Sequence, residues 1–175
     1  MFIMVQIKIP SLFIVAEVFF KEPAEIHFIK EISRKIKIAP TSVRNIIKDL
    51  DKNRLIVKKQ SKPFNGYIAN RESEDFIFYK KIYNLYSLKD LTREIINQIY
   101  PSAIVLFGSY SRGEDVKSSD IDIFIISKVK KEINVSLFEK ILERKINILV
   151  LDKIEKLDES IKKKINNGIV LYGEI

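Results

Sequence analysis

No cysteine occurs anywhere in the chain, which excludes a disulfide framework and a zinc site built on thiolates. A single histidine, His27, leaves almost no scope for an all-nitrogen metal site, so any metal should be a hard cation on oxygen ligands. His27 itself reads as a structural or surface residue. A long apolar run is missing too. The most apolar stretch, Met1 to Phe20, is interrupted by Gln6, Lys8, Pro10 and Glu17 and falls short of a bilayer span. It has neither a basic start nor a small-residue cleavage site, so it does not read as a signal peptide. These absences point to a soluble, cytoplasmic protein with no membrane partner.

What is present suits packed cores: 175 residues, 46% of them hydrophobic, enough for one domain or two small ones. Charge divides the chain unevenly. Residues 1–70 hold 13 Lys plus Arg against 6 Asp plus Glu, a net of +7, while residues 71–175 hold 18 against 17, a net of +1. The basic excess of the first part suggests that it meets a polyanion.

That first part predicts helices over SLFIVAEVFF (11–20) and EIHFIKEISRKI (25–36), with a third opened by Pro40 and Thr41. On the third, Val43, Ile46, Ile47 and Leu50 share one face, which turns Ser42, Arg44, Asn45 and Lys48 toward solvent. Two short β runs follow in LIVKKQSKPFNGYIAN, flanking a turn with Pro63 and Asn65-Gly66, a pair favoured where a hairpin needs positive φ. Three helices and a hairpin make a winged helix-turn-helix over residues 1–72. In such a domain the third helix enters the major groove of double-stranded DNA and the wing lies on the backbone. Thr41, Ser42, Arg44, Asn45 and Lys48 are the expected DNA contacts on that helix, and Lys58, Lys59 and Lys62 are those on the wing. The competing reading treats these lysines as a solvated face and the domain as a protein-binding module.

Residues 73–99 read as a helical linker. Phe76, Tyr79, Tyr83 and Tyr86 draw an aromatic stripe at 3-4-3 spacing, suited to a base-stacking surface, to the seam of a homodimer or, with more weight, to buried packing between the domains. Beyond Pro101 the pattern alternates strands and helices: AIVLF (103–107), IDIFII (121–126), the helical SLFEKILER, INILVL (146–151), a basic helix, and IVLYG (169–173). This predicts an α/β domain over residues 100–175 with a mixed or antiparallel sheet, and an α+β, two-domain chain as a whole.

Chemistry concentrates in GSYSRGEDVKSSDID, residues 108–122. Gly108 after a strand lets the backbone turn tightly near a ligand, and Ser109 adds a hydroxyl beside exposed amides, a pair suited to terminal phosphate oxygens. Arg112 can grip a phosphate in bidentate fashion, and Gly113 again permits close approach. Asp120 and Asp122, one residue apart on a predicted strand, face the same way with α-carbons about 7 Å apart. Two carboxylates so placed can share Mg²⁺ with triphosphate oxygens. An isolated Asp-Ile-Asp reads as an ordinary amphipathic strand, but its coincidence with the glycine loop favours a site.

Taken together, Gly-Ser, ten residues, then Asp-Ile-Asp, with Arg112-Gly113 inside and Ser118-Ser119 before the acids, resembles the small prokaryotic nucleotidyltransferases of the DNA polymerase β superfamily. The resemblance covers about residues 88–175, with the winged helix as an addition seen in some prokaryotic relatives. It implies that Gly108, Ser109, Arg112 and Ser119 bind the nucleotide and that Asp120 and Asp122 are catalytic ligands of two Mg²⁺ ions. The implied reaction moves a nucleoside monophosphate, AMP by preference, from an NTP to an acceptor hydroxyl. In the family a third acid on a later strand helps to activate that hydroxyl. Here its position, in KINILVL, is Asn147, which is neutral and cannot take a proton near pH 7. Neither Glu143 nor Asp152 is an obvious substitute. Three readings stay open: an enzyme using two acids, a degenerate nucleotide-binding regulator of DNA, and an antitoxin-type AMP transferase acting on a HEPN-domain partner.

Overall fold

The computed structural model describes residues 11–62, 64–129 and 131–174. The chain divides into two compact units, Met1–Phe76 and Ile77–Ile175. The start of the apolar stretch from Met1 and the turn proline Pro63 lie outside the described residues.

The first unit opens with helix α1 (Ser11–Lys21), which buries Val15, Ala16, Val18, Phe19 and Phe20. Helices α2 (Ile29–Ile36) and α3 (Pro40–Lys52) follow. Pro40 stands at the first turn of α3, where a missing N–H leaves no bond unmade, and Val43, Ile47 and Leu50 carry its buried face. Ile46 is only half-buried, at the margin of that face. Strands β1 (Ile56–Lys59) and β2 (Gly66–Ala69) pair antiparallel, from Ile56 opposite Ala69 to Lys59 opposite Gly66.

Two expectations need correcting here. The helix expected from Glu25 begins only at Ile29, because His27 is extended and pairs with Tyr67 through both backbone bonds, at 2.8 and 2.9 Å. His27 is buried, its ring edge-on to Phe19 at 5.1 Å, and its Nε2 lies 3.1 Å from the Glu22 carbonyl. Its Nδ1 lies 3.7 Å from Glu31. The Asn65-Gly66 pair is likewise not a positive-φ turn, since Gly66 is the first residue of β2 and absent from the left-handed positions. Its missing side chain answers a packing demand instead: a Cβ there would sit 2.4 Å from Ile26 Cγ2 and 3.0 Å from the His27 carbonyl oxygen.

The helical stretch 73–99 is two helices, α4 (Glu74–Ser87) and α5 (Lys89–Ile99), separated at Leu88. The aromatic stripe is not the buried face of α4. Phe76 is buried against Phe20, at 5.5 Å between rings, but Tyr83 is half-buried and Tyr79 and Tyr86 are exposed. Within the second unit the face turned inward carries Lys80 and Asn84, continued by Leu88. Polar residues occupy that face because they serve a buried carboxylate described below.

After α5 come β3 (Ala103–Phe107), the short helix α6 (Gly108–Arg112), β4 (Ile121–Ile126), α7 (Ser136–Leu142), β5 (Ile146–Leu151), a 3-10 turn (Ile154–Lys156), α8 (Glu159–Asn166) and β6 (Ile169–Gly173). The sheet is mixed, in the order β5-β4-β3-β6, with β4 and β5 parallel and β3 antiparallel to both β4 and β6. Strand alternation splits the core between the two faces. Ile104, Leu106, Ile121, Ile123 and Ile125 pack with Leu91, Ile95 and Ile99 of α5, while Val105 and Phe124 pack with Ile165 of α8. Burial on both sides explains why the central strands read as continuous apolar runs. Among the described residues no helix is long and apolar enough to cross a membrane.

Candidate functional site

The alternation that buries Ile121, Ile123 and Ile125 on one face leaves Asp122 on the other. Asp120 immediately precedes β4 rather than lying on it, so of the two acids expected on the strand only Asp122 is within it. The parallel register sets Asp122 opposite Asn147 on β5, and the antiparallel register sets it opposite Phe107 on β3. Asn147 Nδ2 donates to Asp120 Oδ2 at 3.2 Å and to Asp122 Oδ1 at 3.0 Å. A carboxylate only accepts, so the amide nitrogen faces the pair and relieves the repulsion between them. The position that would carry a third acid therefore holds a donor that closes the pair.

At the end of β3 the chain turns at Gly108, whose φ is +78°. A Cβ there would stand 2.4 Å from Asp122 Oδ2. Glycine is thus required twice at this position, for the left-handed backbone and for direct contact with the carboxylate. Ser109, half-buried, follows in the first turn of α6. Gly113 ends that helix at φ +70°, and a Cβ there would come within 2.8 Å of the Ile77 carbonyl oxygen. Arg112 is exposed; its Nε donates to Glu114 at 2.7 Å and its Nη1 to the Gly108 carbonyl at 3.0 Å, so it flanks the turn. Ser119 closes a small turn, its Oγ accepting from the Val116 N–H at 3.0 Å. The fold thus brings Gly108, Asp120, Asp122 and Asn147 together. Ser119 is tied into the loop that delivers Asp120.

That loop rests on residues the sequence reading passed over. Asp115 is fully buried and receives Lys80 Nζ at 2.9 Å, Asn84 Nδ2 at 2.8 Å and Arg144 Nη2 at 3.2 Å. Arg144 also donates to the carbonyls of Val116, Lys117 (2.9 Å) and Ser119 (3.1 Å). Its guanidinium lies 5.6 Å from the centre of the Tyr110 ring. The Tyr110 hydroxyl meets Ser87 Oγ at 2.9 Å. Burial holds the Tyr110 phenol above its ordinary value of 10.0; the Ser87 bond opposes this, nearby Asp115 adds to it and Arg144 counters it. A signal was present in the sequence, since Lys80 and Asn84 interrupt an otherwise apolar helix face at a spacing of four. Their partner lies 35 and 31 residues away and has no local signature.

The two acids weighed as replacements for the missing third carboxylate stand elsewhere. Glu143 caps α7 in the left-handed conformation. Asp152 follows the far end of β5, where the bond from Lys156 at 2.8 Å holds its carboxyl below the usual range. Among the described residues no group of three or more His, Cys, Asp or Glu side chains is placed to hold a metal. The carboxylate oxygens of Asp120 and Asp122 are hard ligands of the kind a small divalent cation takes, while Asn147 turns its amide N–H groups toward them. On the hairpin and α3, Thr41, Ser42, Arg44, Asn45, Lys48, Lys58, Lys59 and Lys62 are all exposed.

Residues 88–172 match the family model described as Nucleotidyltransferase domain. That segment, with its mixed sheet, is similar to a nucleotidyltransferase domain. Over 63 residues, 36% of this chain, the sequence is 41% identical to a protein of Methanocaldococcus jannaschii described as "Putative protein adenylyltransferase". The match spans 61% of that relative, less than two thirds of its length. A crystal structure described as "a putative nucleotidyltransferase" from Sulfolobus solfataricus aligns at 25% identity and a TM-score of 0.33, covering 54% of this chain and 84% of that one.

Proposed function

We propose that the second unit transfers a nucleoside monophosphate, AMP by preference, from an NTP to an acceptor hydroxyl. The observation that carries this reading is the contact between Gly108 and Asp122, where a side-chain-free turn lies directly against paired carboxylates. Phosphate oxygens received at Gly108 and Ser109 would lie beside Asp120 and Asp122, with Arg112 and Ser119 at the margin of the nucleotide site. Asp120 and Asp122 would hold Mg²⁺, which when bound supplies charge neutralisation at the phosphate oxygens. In the transfer the acceptor oxygen attacks the α-phosphorus and the bond to pyrophosphate breaks, the leaving group taking the electron pair. The hydroxyl proton passes to water, because Asn147 cannot accept it. The Methanocaldococcus relative, described as acting on protein, supports a protein hydroxyl as the acceptor.

The test is incubation with labelled NTPs and Mg²⁺, with and without candidate protein acceptors, a HEPN-domain protein among them. Transfer that is lost in Asp120→Asn and Asp122→Asn supports the enzyme. Asn147 itself favours a second reading, a nucleotide-binding regulator without transfer, for which the same assay returns tight NTP binding and no labelled product.

The order of three helices and a hairpin supports a winged helix in the first unit, with Thr41, Ser42, Arg44, Asn45 and Lys48 on its recognition helix. Lys58, Lys59 and Lys62 supply the wing contacts to the phosphates of double-stranded DNA. Binding to a varied duplex pool should then fall steeply with salt and weaken when Lys58 and Lys59 become Ala. Binding indifferent to both changes would remove DNA from the reading.

A further inference from the structure

Arg144 stands between the end of α7 and the start of β5, with its side chain only 7% exposed. Its Nη2 meets the buried carboxylate of Asp115 at 3.2 Å. Its Nη1 donates to the carbonyls of Val116, Lys117 and Ser119, the last two at 2.9 and 3.1 Å. The rigid fork of a guanidinium can hold several acceptors in a fixed arrangement, which the point charge of an ammonium cannot. Backbone bonding between the same two stretches of chain begins just where Arg144 leaves off. The Ile121 N–H donates to the Lys145 carbonyl at 2.9 Å, and the parallel register runs on from Ile121 opposite Ile146. The two acids of the candidate site are therefore held in different ways. Asp122 lies within β4, with register partners on both sides in Phe107 and Asn147. Asp120 lies ahead of the ladder, at the end of the segment that Arg144 gathers.

We propose that Arg144 is a positioning residue for Asp120, an assignment that rests on the reading of Asp120 and Asp122 as cation ligands. It fixes the loop that presents the first carboxylate and leaves the second to the sheet. Without its bonds the carbonyls of Val116, Lys117 and Ser119 must find donors in water, and the segment gains backbone freedom that Asp120 shares. Asp122 gains none, because its pairing with β3 and β5 is untouched. Arg144 thus acts on the cation through one ligand only, and that asymmetry separates positioning from a general support of the fold.

Arg144→Lys is the variant to measure, because it keeps a positive charge beside Asp115 while giving up the fork that spans the carbonyls. Mn²⁺ affinity, followed by magnetic resonance, should fall about tenfold, the lower end of what losing a group behind a metal ligand costs. A double-mutant cycle assigns that loss. Asp120→Asn should weaken Mn²⁺ far less in the Arg144→Lys chain than in the wild type, while Asp122→Asn should cost the same in both. A second readout needs no metal. Asn147 Nδ2 carries two protons and bonds both acids, so in Arg144→Lys one of its two amide proton signals should shift as it does in Asp120→Asn, and the other should stay. Ile165→Val, which thins the core on the opposite face of the sheet, lowers stability without touching the loop and should move neither readout. Asp120→Asn adding its full effect to Arg144→Lys overturns the proposal. So do Asn147 signals that stay at their wild-type positions in Arg144→Lys, or that move equally in Ile165→Val. Mn²⁺ binding to the wild type that is indifferent to both acids removes the cation reading instead, and the Asn147 signals then decide on Arg144 by themselves.

Discussion

Replacing Asp115 by Asn tests whether the buried cluster is held by charge or by packing. Asp115 offers one negative charge to Lys80 at 2.9 Å and Arg144 at 3.2 Å, with Asn84 as a third donor. Asn keeps the shape and still accepts one bond, yet removes the negative charge that both cations face. Removing one partner of a buried ion pair typically costs about 3–5 kcal/mol. Lys80→Met is the contrasting change, because it leaves Asp115 matched one to one by Arg144 with Asn84 still bonded, and apolar replacement of a buried ion is often near neutral. Asp115→Asn should therefore be the worse variant by at least about 2 kcal/mol, a urea midpoint lower by roughly 1 M at the slopes usual for small domains. Hydrogen exchange at the amides of β3 and β4 follows the second unit alone and should show the same ordering. The double variant should recover part of the loss. If Lys80→Met proves as damaging as Asp115→Asn, the cluster is held by the fit of its side chains and the electrostatic account is wrong.

Gly108→Ala should lower stability by only about 1–2 kcal/mol, the cost of a left-handed alanine, while a carboxylate displaced by about 1 Å at Asp122 should reduce nucleotidyl transfer by about a hundredfold. Transfer at the wild-type rate would show that the Gly108–Asp122 contact is dispensable. Asn147→Asp puts a third carboxylate where an amide donated to two, so the metal-free protein should lose stability and Mn²⁺, followed by its magnetic resonance signal, should bind about tenfold more tightly. Unchanged Mn²⁺ affinity would mean that Asp120 and Asp122 do not hold the cation. Because the Tyr110 phenol is held above its unfolded value, its contribution is complete below pH 10.0 and is lost as pH rises through the folded value, since the unfolded chain releases the proton first. Alkaline unfolding followed by phenolate absorbance should accordingly be less steep in Tyr110→Phe.

Legibility followed the range of the interactions. The strands IDIFII and INILVL could be read because burial on two faces leaves a continuous apolar run, and Gly108 because few residues follow a strand with positive φ. The parallel pairing that sets Asp122 opposite Asn147 needed the fold, although the substitution of the acid was visible in the string. Misreadings arose where local propensity competed with distant partners. Ile26-His27-Phe28 lies within a helical pattern but is drawn into an extended pairing with Tyr67. Asn65-Gly66 has the composition of a tight turn, yet Gly66 is fixed by the approach of Ile26. On α4 the tyrosines suggested the inward face, and the buried carboxylate claimed it for Lys80 and Asn84 instead.

The amide of Asn147 carries a consequence for how the second unit responds to its surroundings. Two hydrogen bonds to carboxylates, worth roughly 1.5–3 kcal/mol each, offset the repulsion between Asp120 and Asp122. A divalent ion held by this pair, as proposed, would have to compete with those bonds, which would raise the concentration at which the site fills.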